Sequence, residues 1–217
     1  MHEVIRRPTR QDKGARTRQR IMATAELLVL RRGFAGTSLD DILRSVGTTK
    51  GAFFHHFGSK SDLGLALIER YRTTHTNLFA RFGAEADALA SDPLERMLLF
   101  LRRFEAYASA HKAPMVGCIY AAFASELDHC SQPMREAVAA GLEAWVRLYE
   151  TCLDAILAER TPTAPVSARG LAEMIVALIE GALILSRSTG DVHFVARQSA
   201  QFRTYLGLLF ASAPRAS

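Results

Sequence analysis

Between Thr37 and Lys60 the chain reads TSLDDILRSVGTTKGAFFHHFGSK, an order of residues that few structures accommodate. Thr37 with Asp40, and Ser38 with Asp41, both fit a capping box: a hydroxyl followed three residues later by a carboxylate that can return a hydrogen bond. Leu39, Ile42, Leu43 and Val46 then recur with helical spacing and make one apolar stripe. Gly47 tolerates the left-handed backbone on which such a helix ends. Thr49 is placed to cap a second helix over Lys50–Phe57, Gly58 breaks it, and Ser59 with Asp62 forms another capping box. Two short helices joined by so short a turn follow the helix-turn-helix plan, whose second helix enters the major groove of DNA.

Charge falls in the same place. Residues 1–60 carry 12 Lys and Arg against 5 Asp and Glu, whereas the remainder carries 15 against 17. A basic excess confined to the segment with the helix-turn-helix is the electrostatic footprint of a nucleic-acid module joined to a nearly neutral one. No run of uncharged apolar residues is long enough for a membrane span, so no membrane partner is expected. Ile21 to Leu30 contains Glu26 and is followed by Arg31 and Arg32, which fits an amphipathic helix and not a secretion signal. Cys118, Cys130 and Cys152 are odd in number and widely spaced, so no disulfide framework is expected and a cytoplasmic location is.

The rest of the chain reads as helices. Residues 1–15 form a polar, basic arm with Arg6, Arg7, Arg10 and Lys13, either a solvated tail or an arm that reaches DNA. A first helix spans about Arg16 to Arg32 and ends at Gly33, with Phe34 expected to plug the three-helix core. A long helix starts at Ser59 and continues towards Phe79, leaving the DNA-binding domain (16–60) for a larger domain (61–217). Asp92, Pro93 and Glu95 make a strong helix start. Further helices are expected over about Met115–Leu127, Pro133–Glu159, Ser167–Arg187 and Asp191–Phe210, about nine in all. Nothing alternates with a period of two for long enough to form a strand, so the fold class is all-α.

Specificity in such a module comes from a few side chains at the start of the recognition helix, and affinity from phosphate contacts. Thr49, Lys50 and Ala52 are the base-edge candidates, because an ammonium can donate to guanine and a methyl can pack on thymine. Thr37, Thr49, His55, His56 and Lys60 are the phosphate candidates, Phe53 and Phe57 belong to the core, and Phe54 fits either role. Loss of Lys50 is expected to change sequence preference, and loss of Lys60 to weaken all sites alike. Adjacent helical residues point about 100° apart, so His55 and His56 do not make a metal site, and no metal or cofactor is expected.

The segment resembles the DNA-binding domain of the TetR family of bacterial transcriptional regulators. The residues that carry the resemblance are Thr37, Ile42, Gly47, Thr49, Lys50, Gly51, Phe54, His56, Phe57, Ser59, Lys60 and Leu63. Thr48 stands where the family usually has an apolar residue, and Phe54 lacks the tyrosine hydroxyl that in relatives often contacts a phosphate. The resemblance implies a homodimer on a palindromic DNA operator, and a small-molecule effector held in the second domain. Phe104, Tyr107, Met115, Cys118, Phe123, Trp145 and Tyr149 are the candidates for that pocket, although the same residues serve equally as bundle core. Gly117 and Cys118, with Ser125, Glu126 and Leu127 downstream, resemble a subgroup in which some members sense electrophiles through that cysteine. A helix N-terminus there would lower the thiol pKa, whereas a buried Cys118 would be inert. The last two helices pair across the two-fold axis in this family, which makes Ala177, Gly181, Ile184, Phe202 and Tyr205 the candidates for a dimer interface.

Two other functions fit less of the sequence. A DNA-packaging protein without an effector would share the basic module and show weak sequence preference. A helical enzyme lacks support from any phosphate-binding glycine loop, HExxH or nucleophile elbow in the chain.

Overall fold

A computed structural model of the protein describes residues 10–111 and 117–211. Among the described residues the regular structure is wholly helical. The order is α1 (Arg10–Arg32), α2 (Leu39–Val46), α3 (Lys50–Phe54), α4 (Lys60–Asp87), α5 (Pro93–Ser109), α6 (Ile119–Ala124), a single 3-10 turn (Leu127–His129), α7 (Gln132–Glu159), α8 (Ala168–Thr189) and α9 (Phe194–Leu209).

Local chemistry sets most of these boundaries. Of the two capping boxes that compete before α2, Ser38 wins: its hydroxyl accepts from Asp41 N, and Asp41 returns the bond to Ser38 N. Thr49 caps α3 by accepting from Ala52 N at 3.2 Å, Ser59 caps α4, and Asp92 accepts from Glu95 N at 2.9 Å ahead of Pro93. Gly47 and Gly190 close α2 and α8 in the left-handed conformation, with φ of 69° and 76°.

Three expectations change. Helix α1 begins at Arg10, so Arg10–Ala15, assigned to the arm, are helical, while residues 1–9 lie outside the described residues. Gly14 is the one weak helix former in that stretch, and its cost of about 1 kcal/mol does not stop a helix already long enough to propagate. The helix expected over Met115–Leu127 is a six-residue α6 followed by the 3-10 turn, because Ser125 turns its hydroxyl back to Ala122 O and the chain tightens there. The second helix of the helix-turn-helix is regular only to Phe54, and His55–Phe57 finish as a looser turn that bonds back to Gly51 and Phe53.

Helices α1–α3 pack around the first turns of α4, with Ile21, Ala25, Ile42, Val46, Phe53, Leu63 and Leu67 buried between them. Arg20 of α1 donates to Val46 O and satisfies the end of α2. The second layer is a bundle in which α7 packs on α8, α5 on α9, α8 on α9, and α4 on α5 and α7. Arg203 forks onto Glu105 at 2.8 and 3.2 Å and ties α9 to α5. Helix α4 belongs to both layers: its 28 residues reach about 42 Å.

A second junction lies at the α1–α2 turn. Phe34, expected inside the small core, stacks on Phe123 of α6 with ring centroids 5.1 Å apart, so it faces the other domain. Glu126 accepts from Ala35 N at 2.8 Å, and Arg187 of α8 donates to Leu30 O and Arg31 O at 2.7 and 2.9 Å, completing the end of α1. Gly33 makes this approach possible. Its φ is 79°, and a Cβ there would lie 1.9 Å from Glu126 Oε1. Gly33→Ala is therefore expected to lower folding stability by about 2 kcal/mol or more, read in a urea titration. Adding Glu126→Ala should return the steric part of that loss and leave the backbone part.

Candidate functional site

The turn between α2 and α3 places Thr49, Lys50 and Phe54 on the surface. Lys50 Nζ lies 3.2 Å from Asp40, but both side chains are about two-thirds exposed (65% and 64%), so the pair costs little to break. Phe54 is 53% exposed and stands edge-on to the buried Phe53, an apolar ring held out from the module. Ala52 is half-buried beside it and His55 is exposed. His56 is half-buried, and its pKa is held below the ordinary value by desolvation, then by His55 and Arg18 nearby. It is neutral at pH 7 and offers a phosphate a hydrogen bond without a charge.

Two candidates for phosphate contact are used elsewhere. Thr37 is fully buried and its hydroxyl donates to Gly33 O at 2.8 Å, so it fastens the α1–α2 turn and has no surface to present. Lys60 donates to Phe34 O at 2.6 Å, and its ammonium sits 4.2 Å from the centre of the Phe34 ring. Desolvation lowers its pKa, which Glu126 partly opposes. The carbonyl and the ring of Phe34 together make a better partner for this cation than solvent does.

The second domain encloses an aromatic cavity of about 40 Å³ between α4, α5, α7, α8 and α9. Of the pocket candidates, Phe104, Tyr107, Trp145 and Tyr149 line it. Cys118 and Phe123 do not: Phe123 is taken up by Phe34, and Cys118 borders a separate groove of about 220 Å³ between α1, α6 and α8. Met115 lies outside the described residues. Sequence reasoning missed Tyr71, His75 and Phe79 on α4 and Glu180 on α8. The first three sit at i, i+4 and i+8 on a helix read only as a connector. Glu180 was visible as a carboxylate among Val176, Ile179 and Leu183.

Cys118 is buried, and its pKa is pushed well up, first by desolvation and then by the Glu180 carboxyl beside it. The expected lowering by a helix N-terminus is overcome, because α6 is short and the thiol is dry. In this conformation Cys118 is a protonated thiol of low reactivity.

The outer face of α8 and α9 carries uncovered apolar surface. Ile184 is 63% exposed and Leu208 67%, with Met174, Leu185 and Tyr205 also exposed. Ala177 is exposed, and a Cβ at Gly181 or Gly207 would meet nothing. Phe202 departs from the expected set. It is buried within its own subunit, since it shares the inward stripe of α9 with Val195, Ser199 and Leu206.

Comparison with known proteins agrees with this arrangement. Residues 21–67 match the family model "Bacterial regulatory proteins, tetR family", and residues 93–202 match "Tetracyclin repressor-like, C-terminal domain". The chain is 28% identical over 138 residues to the HTH-type transcriptional repressor NemR of Escherichia coli, a match covering 64% of this chain and 67% of that protein. It is 35% identical over 117 residues to the transcriptional regulator AcuR of Cereibacter sphaeroides, covering 54% and 51%. The crystal structure of a TetR family transcriptional regulator from Agrobacterium tumefaciens superposes with a TM-score of 0.75 at 26% identity, over 91% of this chain and 100% of that one.

The two inward lysine contacts give a direct test. Lys60→Ala is expected to lower folding stability by about 1–3 kcal/mol in denaturant titrations, through loss of the Phe34 contacts. It should leave unchanged the slope of DNA affinity against salt, which a lost phosphate contact would reduce by about one.

Proposed function

This chain belongs to the TetR family of bacterial transcriptional regulators, and on that premise we propose that it is a repressor that binds a palindromic operator as a homodimer and is released by a small-molecule effector. The observation that carries the proposal is the surface of α3, where Thr49, Lys50 and Phe54 stand exposed on a helix-turn-helix whose every other large apolar side chain is turned inward. Lys50 exchanges a weak surface ion pair with Asp40 for a base edge, and Asp40 is then free to swing into solvent.

The uncovered face of α8 and α9 supports dimerisation. Exposed Ile184, Leu185 and Leu208 flank small residues that let a symmetry-related pair of helices approach closely. A two-fold dimer sets its recognition helices one turn of DNA apart, or a multiple of it.

The aromatic cavity supports the effector role. At about 40 Å³ it is far smaller than the ~300 Å³ at which ligand pockets begin, so an effector must spread the helices around it. Tyr71, His75 and Phe79 belong to α4, whose first turns carry Leu63 and Leu67 in the DNA-binding core. Packed helices shift as units, so an effector favours a state in which the two reading heads no longer match the operator. The Cys118 thiol is not needed for this route.

Selection from random duplex DNA is expected to recover a palindrome, and weak fragments without symmetry would instead favour a packaging role. On the recovered operator, Lys50→Ala should cost about 1–3 kcal/mol in a fluorescence anisotropy titration and relax preference at one position. Ile184→Arg with Leu208→Arg should give monomers by sedimentation velocity and abolish operator binding while the helical signal is retained.

A further inference from the structure

The aromatic cavity has a polarity of its own. Among the described residues that line it there is one carboxyl group, Glu180, and no Lys or Arg. Glu180 Oε1 is buried and has no hydrogen-bond partner among the described residues. A buried polar atom without a partner is destabilising, and a ligand that pairs with it removes that cost. Besides the tyrosine hydroxyls and the Trp145 N–H, the other polar side chain in the lining is His75. Its Nδ1 lies 3.0 Å from Tyr71 O, and because a carbonyl only accepts, that nitrogen carries the proton. Burial keeps the ring neutral, so its remaining nitrogen can only accept. The lining thus adds the Glu180 and His75 acceptors to the tyrosine hydroxyls and holds no fixed cation. Around them stand the rings of Tyr71, Phe79, Trp145 and Tyr149, with Trp145 centred 6.1 Å from Tyr71, 5.8 Å from His75 and 6.0 Å from Phe79. Aromatic faces attract positive charge and repel negative charge.

We propose that the effector cavity selects a protonated amine on an apolar, arylalkyl body, its ammonium paired with Glu180 and its body stacked among Tyr71, Phe79 and Trp145. This inference rests on the effector role proposed above and adds the chemical class of the ligand. Desolvation raises the Glu180 carboxyl pKa, and a hydrogen bond with the Cys118 thiol acts against it. A bound ammonium acts in the opposite sense to desolvation, because a cation beside a carboxyl group favours its charged form. Trp145 and Tyr107 are only half-buried and are the side chains able to move aside for a body larger than the closed cavity. A carboxylate ligand is disfavoured by the same surroundings, because it would bring a second negative group beside Glu180 with no cation to offset it.

Calorimetric titration of the full-length dimer at neutral pH tests this with three probes of one shape: phenylbutylamine, phenylbutanol and phenylbutyrate. The amine is expected to bind about tenfold or more tightly than the alcohol, with the acid weakest. Glu180→Gln, which keeps the shape of the side chain and removes its capacity for negative charge, should erase the advantage of the amine and leave the alcohol unchanged. Equal affinity for amine and alcohol, or an amine advantage that survives Glu180→Gln, would overturn the preference for a cation while the effector role stands. Failure of all three probes to bind overturns the amine assignment as well, and the effector role is then judged separately by screening neutral molecules for release of the operator.

Discussion

Besides the continuous helix α4, the few residues around Phe34 join the DNA-binding module to the second domain. The α1–α2 turn needs the left-handed backbone of Gly33, and that glycine leaves room for Glu126 to reach Ala35 N. Phe34 then makes three contacts with two partners: its ring packs on Phe123, its face carries the Lys60 ammonium, and its carbonyl accepts from the same lysine. Arg187 closes the end of α1 from α8. With α4 running through both layers, the reading head is held at two separated places on the bundle. Two attachments define an orientation, where one would leave a swivel.

On the effector route proposed above, that constraint carries a small change in the bundle to the DNA surface. The cavity lies where α4 passes between α5, α7 and α8, one helical stretch away from the Lys60 end of the same helix. Close-packed interiors do not absorb added volume locally, so a filled cavity moves helices as bodies. On that route the junction carries the movement, because its contacts join main-chain groups at the end of α1 and in the turn after it to Arg187 of α8 and to Glu126 beyond α6. A ligand needs only to bind the displaced state more tightly to shift the population towards it.

The sequence was most legible where structure is local. The boxes at Ser38 and Ser59, the Asp92–Pro93 start and the glycines at 47 and 190 mark boundaries that the fold keeps within a residue or two. It was least legible where a side chain had to choose between solvent and a distant partner. Thr37 and Ser38 satisfy the same capping pattern, and only the packed turn decides that Thr37 is the buried one. Lys60 reads as a surface cation until Phe34, 26 residues earlier, is brought beneath it. Phe202 and Tyr205 are three apart on α9, yet one faces the core and the other solvent, which the helical period alone does not settle. Glu180 looked like an ordinary helix charge, and its importance comes from rings supplied by three other helices.

The central claim is that cavity volume and the placement of the reading heads are coupled mechanically. The most direct measurement is the distance between spin labels on Ser45→Cys in the two subunits, read by pulsed electron paramagnetic resonance. The exposed Cys152 is replaced by serine in the same background, while Cys118 and Cys130 are buried. The comparison is with the same dimer carrying Val176→Phe, which adds volume to the cavity wall. Coupling predicts a shifted distance distribution together with weakened operator binding in a protein that remains dimeric. An unchanged distribution in a variant that has nevertheless lost the operator would contradict it.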